Sequence, residues 1–385
     1  MSKNKSFPIF LAFLCMGFGD AVGPFVGLAK DEFQLSHFEA QIIAFMGFIM
    51  FGLLSVPMGI FQDRRGKKMV LMMGLCLALL GLVIPLFGLS TYGLFLLTIL
   101  LLGAGAAILQ VAGNPIMRDV SAPGKYSRNL TIGQFVKAIG SLTGSLIPFA
   151  AAKWFGLDWI ILFPIYSAIL LLTLVIIGFS RITEKKEGNV EPASFSSSLS
   201  LMRNPFVGMM VLGIFLYVGA EVSISSGTPI LLSEKFGIDL KTWGLIGNAF
   251  FFISILIGRF LGSVILNFMQ PRRFLMVSAI VSVIGLLFMV SEWQNLVILG
   301  IFFTGLGFGN IFPLIFSITI DAMPERNNEI SGLMVTAIVG GAFLPPLMGL
   351  VADHASVTIG LLVPIAAILY VLYCAFFVSG KKITN

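Results

Sequence analysis

Apolar runs of about 20 residues, each long enough to cross a ~30 Å hydrocarbon layer, alternate with short polar gaps along the whole chain. Cutting at the charged and turn-forming punctuation predicts twelve helices, over 7–29, 40–61, 69–88, 93–117, 130–152, 159–180, 206–228, 242–266, 273–291, 295–320, 329–352 and 357–379. The widest polar gap lies near the middle, where Glu184, Lys185, Lys186, Glu187, Glu191 and the serine-rich stretch 194–200 interrupt the pattern. This predicts an all-α membrane protein with a six-helix bundle over 1–180, a linker over 181–205 and a second six-helix bundle over 206–385. The first run is too long for a signal-peptide core and lacks a clear small-residue cleavage site, so it reads as a retained span.

Lysine and arginine set the orientation, because basic residues stay on the cytoplasmic side. With the N-terminus inside, 18 of the 24 fall in cytoplasmic segments and 4 in outer gaps (Lys30, Lys153, Lys235, Lys241), leaving Lys137 and Arg259 within spans. Both termini are therefore expected in the cytoplasm of a plasma (inner) membrane protein. Trp154, Trp159, Trp243 and Trp293 all fall at predicted outer helix ends, as in an interfacial aromatic belt.

Composition agrees: 57% of the 385 residues are hydrophobic and 11% charged, against about 25% charged in soluble domains. The net charge of +6 comes from short clusters between spans, which excludes a nucleic-acid face. Cys15, Cys76 and Cys374 lie inside apolar runs without metal or redox spacing. His37 and His354 have no metal-ligand partners in sequence, and neither G-x-S-x-G nor a phosphate-binding loop occurs, so neither an enzyme nor a cofactor is expected.

After the second predicted helix comes Gly59-x-x-x-Asp63-Arg64-x-Gly66-Lys67-Lys68, which resembles the loop signature of the major facilitator superfamily. In it Gly59 would permit close helix packing, Asp63 would accept from a helix N-terminus or an arginine, and Arg64 and its basic neighbours would hold the loop at the surface. The equivalent stretch of the second half keeps Gly262, Arg272 and Arg273 but has Leu266 in place of the Asp, a degenerate repeat. The resemblance narrows to the fucose:proton symporter family through Tyr217-Val218-Gly219-Ala220-Glu221, Gly258-Arg259-Phe260-x-Gly262-Ser263, Phe312-Pro313 and Gly349-Leu350-x-Ala352-Asp353. Asp20 four residues before Pro24, Asn114-Pro115, and Gln134 before Gly140-Ser141-x-x-Gly144 extend it to the first half. It implies the major facilitator fold and sugar transport by alternating access, usually with a proton.

Ionisable groups inside spans are expensive unless they face a cavity or a partner, so they are the candidates for mechanism. Asp20 lies among Gly17, Gly19 and Gly23, and the resemblance implies that it is the proton-coupling acid. Gln134, Lys137 and Ser141 recur at i, i+3 and i+7 and share one helical face. By resemblance Gln134 contacts sugar, Lys137 replaces a common Asn, and Gln110, four residues before Asn114, replaces a common Glu. Lys137 either pairs with Asp20, or receives the anionic group of an acidic sugar, or snorkels to the inner interface. Glu221 and Arg259 form a candidate polar network in the second half, and Asn310 a candidate substrate contact.

The expectation is a monomeric secondary transporter that imports a monosaccharide or sugar derivative, acidic sugars included, by proton symport. Sodium coupling or uncoupled transport is the alternative, because of Gln110, and a non-transporting membrane receptor is a third. Partners are the sugar, the coupling ion and the lipid bilayer.

Overall fold

The computed structural model describes residues 7–88, 91–120, 126–180, 182, 184, 200–240, 244–323 and 326–380. Among them are twelve helices long and apolar enough to cross a membrane: Phe7–Glu32, His37–Gln62, Lys67–Phe87, Tyr92–Gly113, Ile132–Phe155, Trp159–Phe179, Pro205–Phe236, Leu245–Gly262, Pro271–Met289, Gln294–Ala322, Gly332–His354 and Val357–Val378. They are called the first to twelfth spans below. Apart from the seventh, each lies close to its predicted run. Most of the linker falls outside the described residues.

The seventh span runs well past the predicted residue 228. Asn204 starts it by accepting from the amides of Phe206 (3.0 Å) and Val207 (3.4 Å), with Pro205 at the first helical position, where no amide partner is needed. Ser233, Glu234 and Lys235 read as a polar gap yet continue the helix, which closes only at Gly237 in the left-handed conformation (φ 64°). The first span is interrupted between Asp20 and Val22. Pro24 has no amide to give to the carbonyl of Asp20 four residues earlier, so the helical ladder loosens at the acid itself.

The chain divides into two compact units. One holds Met1–Phe25 and Met46–Pro192, the other Val26–Phe45 and Ala193–Asn385, so the ends of the first two spans nearest residue 33 pack with the second half of the sequence. Within the first unit the first span packs on the fourth and fifth, and the third on the fourth and sixth. The second unit repeats this arrangement: the seventh on the tenth and eleventh, the ninth on the tenth and twelfth. Large apolar side chains such as Leu80, Phe179, Phe260 and Phe376 remain exposed on helix surfaces, the faces a bilayer would cover.

Trp159 departs from the aromatic-belt expectation. It is 3% exposed and packs against Phe25, Phe95 and Phe163, because the interior of the first unit needs its ring area. Trp154 and Trp293 are exposed as expected; Trp243 lies outside the described residues.

Candidate functional site

Small residues bring the first and fifth spans together. A Cβ on Gly17 would lie 2.7 Å from the amide nitrogen of Ser141 and 2.8 Å from Cα of Gly140, so only glycine allows the two backbones to touch there. One turn from this contact, at the interruption of the first span, Asp20 meets Lys137: Nζ lies 2.8 Å from Oδ2. Both side chains are partly buried, at 27% and 16% exposure, so the pair is sheltered without being sealed. Lys137 Nζ also donates to Gln110 Oε1 at 3.3 Å, and the Ser141 hydroxyl lies 3.5 Å from Asp20 Oδ2. Two of the predicted first-half residues, Lys137 and Ser141, thus meet Asp20 directly, and Gln110 joins them through Lys137.

Ser141 is buried and also donates to the Lys137 carbonyl (3.2 Å), a bond that helical serines commonly make. Gln134 is half-buried on the same helix, three residues from Lys137. Asn114 is helical, and its side chain lies outside what is described. Close by, Thr143 shares a 2.9 Å hydrogen bond with the buried Tyr166, whose ring stacks on Phe18 at 3.7 Å.

In the second unit Glu221, Arg259 and Tyr217 form one electrostatic group. The Tyr217 hydroxyl donates to the Phe308 carbonyl at 2.8 Å, and Arg259 Nε to the Gly309 carbonyl at 3.4 Å, so the seventh and eighth spans are tied to the tenth. Asn310, expected as a substrate contact, is buried and gives its amide to the Gly258 carbonyl at 2.7 Å. A satisfied helix-to-helix hydrogen bond accounts for its polarity, because a buried amide must find an acceptor. Asn248 likewise donates to the backbone and side chain of Ser225.

The sequence matches the family model of the Major Facilitator Superfamily over residues 9–265 and 210–384. The chain belongs to that superfamily. Among similar proteins, a glucose/galactose transporter of Brucella abortus is 28% identical over 355 residues, covering 89% of this chain and 86% of the relative. The L-fucose-proton symporter of Escherichia coli K12 is 24% identical over 358 residues, covering 85% and 81%. The fold is shared with a crystal structure of the E. coli fucose:proton symporter (TM-score 0.69, 22% identity, 98% of this chain and 100% of that one). It is shared also with the nucleoside transporter NupG (TM-score 0.77, 14% identity, 98% and 99%).

The superfamily loop is only partly as expected. A Cβ on Gly59 would meet nothing within 4 Å, so this glycine makes no close helix contact here, and the packing role read from the sequence is corrected. Arg64 is exposed, and the Asp63 side chain lies outside what is described. Glu184 caps the start of the third span, its carboxylate accepting from the amides of Lys67 (2.7 Å) and Lys68 (2.9 Å). Gly66 makes this possible with φ 93°, a conformation other residues avoid. Lys67 reaches Asp119 at 2.7 Å.

Sequence reasoning missed a second charged cluster, inside the second unit. His37 Nδ1 lies 2.7 Å from Asp353 Oδ1, and Nε2 lies 2.9 Å from Glu234 Oε2, while Lys30 reaches Glu234 Oε1 at 2.9 Å. These four residues come from the first, second, seventh and eleventh spans. Asp353 stood in a family motif, and otherwise the signal was that each is ionisable and sits near a span end, which is ordinarily explained by solvent.

Proposed function

We propose that this chain imports a neutral monosaccharide with a proton by alternating access, Asp20 being the proton carrier and Lys137 its charge partner. The observation that carries this reading is the 2.8 Å contact between Asp20 and Lys137 inside membrane spans. An ammonium already neutralised by a carboxylate has little charge left to attract an anionic sugar. That favours a pairing role for Lys137 over a receptor for acidic sugars. The relatives named for glucose/galactose and L-fucose also point to uncharged sugars.

Protonation of Asp20 would remove the anion that holds Lys137, freeing the ammonium to turn to Gln110 or to a sugar hydroxyl. Loss of the proton would restore the pair. A carboxylate and a cation share the work for which a lone acid would need full desolvation. Gln134 and Ser141 supply donors and acceptors on the same face, and Glu221 with Arg259 serves as a second-half network that fixes the seventh and eighth spans. The basic gaps support an orientation with both termini in the cytoplasm.

Purified protein in liposomes, given labelled glucose, galactose or fucose with a proton gradient or a sodium gradient imposed alone, tests the proposal. Accumulation of a neutral sugar with the proton gradient only is the expected result. Accumulation driven by sodium alone, or of sugar acids in preference, would replace it.

A further inference from the structure

We propose that His37 is a second proton-binding site, separate from Asp20, and that its protonation closes a clasp holding the Val26–Phe45 segment to the seventh and eleventh spans. The argument begins with the two faces of one imidazole. Nδ1 faces Asp353 and Nε2 faces Glu234, at 2.7 Å and 2.9 Å. A carboxylate can only accept, so both contacts are hydrogen bonds only when both ring nitrogens carry protons. A neutral ring has one N–H, and its other nitrogen would then point a lone pair at a carboxylate.

The charge balance agrees. Glu234 and Asp353 are two anions, and Lys30 is one cation bonded to Glu234; protonated His37 completes the neutral set. The remaining ionisable groups nearby look elsewhere. Glu39 accepts from the Ser36 amide, Lys235 turns to Glu292 at 2.9 Å, and His354 Nδ1 faces the Leu350 carbonyl. Asp31 and Glu32 lie on the same segment and are exposed.

The backbone is engaged as well. Asp353 accepts from the amides of His37 (2.7 Å) and Phe38 (2.8 Å), so an acid of the eleventh span caps the start of the second. A Cβ on Gly349 would lie 2.6 Å from the His37 carbonyl, which explains why the eleventh span can come so near. Gln41 accepts from Ser226 at 2.7 Å and Phe45 packs edge-on to Phe343, extending the contact along the segment. Phe25 and Met46, on either side of the segment, belong to the first unit. In a transporter that alternates between conformations, a clasped segment of the second unit whose chain neighbours on both sides belong to the first is where a proton can bias the exchange. This consequence rests on the proposed transport; the proton site does not.

The chain has two histidines, so His354→Gln leaves one ring to observe. In that variant, nitrogen NMR of labelled histidine at pH 7.5, where a free imidazole (ordinary value about 6.5) is mostly neutral, should show both His37 nitrogens protonated. Adding Glu234→Gln and Asp353→Asn should return the ring to its neutral form at that pH. Hydrogen exchange at the His37 and Phe38 amides, corrected for intrinsic base catalysis, should quicken by about tenfold or more as the ring loses its proton, the scale of one charge-assisted hydrogen bond. His37→Gln, which cannot titrate, should make that exchange independent of pH. A ring with one protonated nitrogen at pH 7.5, or amide protection that ignores the ring's titration, would overturn the proposal. Neither readout uses sugar or a gradient, so a failure of the transport reading leaves this test intact.

Discussion

Gly17 and Gly140 face each other across the first and fifth spans so closely that a Cβ on Gly17 would lie 2.8 Å from Cα of Gly140. That contact fixes the separation at which Lys137 and Asp20 form their ion pair. Gly17→Ala must push two backbones apart, an overpacking change of about 1–3 kcal/mol. A lower melting temperature in detergent and a loss of gradient-driven uptake are both expected. Gly59→Ala is the control: its Cβ meets nothing within 4 Å, and alanine is the better helix former by up to about 1 kcal/mol. Equal damage from the two substitutions would show that the Gly17 contact does not organise the site.

Asp20→Asn removes the proposed proton carrier while keeping shape and a hydrogen-bonding head. The variant should lose accumulation against a gradient and keep exchange of labelled for unlabelled sugar, because exchange needs no net proton movement. Lys137 would then face a neutral amide at the former 2.8 Å contact, and a modest loss of stability should accompany the change. Counterflow and gradient-driven uptake in the same liposomes separate the two activities. Accumulation at the wild-type level would remove Asp20 from the coupling role.

Glu184 and Gly66 predict a local effect at the start of the third span. Glu184→Ala leaves the amides of Lys67 and Lys68 without their acceptor, a loss of about 0.5–2 kcal/mol for a helix cap. Gly66→Ala forces a side chain onto φ 93°, at roughly 1–2 kcal/mol. Hydrogen exchange should rise at 67–70 in both variants and stay unchanged in the seventh span. A uniform rise over the whole chain would indicate global destabilisation instead.

The spans were legible because lipid leaves a strong imprint: a helix that crosses it must be apolar for about 20 residues, whatever its neighbours. Asp20 and Lys137 were legible for the complementary reason, since an ionisable residue in such a run needs a partner or a cavity. Which of the open roles Lys137 takes was not legible, because pairing depends on the Gly17 contact between helices more than 100 residues apart in sequence. Glu234 shows the opposite failure. Its polar neighbours Ser233 and Lys235 resemble a loop, and the partners that hold Glu234, Lys30 and His37, lie on other spans. Asn310 was legible as a candidate sugar contact because it is a polar residue in a span, while its packing partner was not. The Gly258 carbonyl that satisfies it lies on another helix, invisible to local pattern.

Lys137→Asn separates the remaining roles of the fifth-span lysine. Removing a cation 2.8 Å from Asp20 favours the protonated acid, so if the pair is the coupling switch, proton-driven uptake should persist to higher pH than in the wild type. The choice among neutral sugars should stay the same, since Gln134 and Ser141 remain in place. A lysine that binds an anionic sugar predicts something else: affinity for sugar acids falls by roughly 10- to 150-fold, the value of one charge-assisted contact, and the pH profile holds still. A lysine that only snorkels changes neither. Uptake measured between pH 5 and 9 in competition with matched neutral and acidic sugars distinguishes the three outcomes, and the 2.8 Å ion pair leads us to expect the upward move in pH alone.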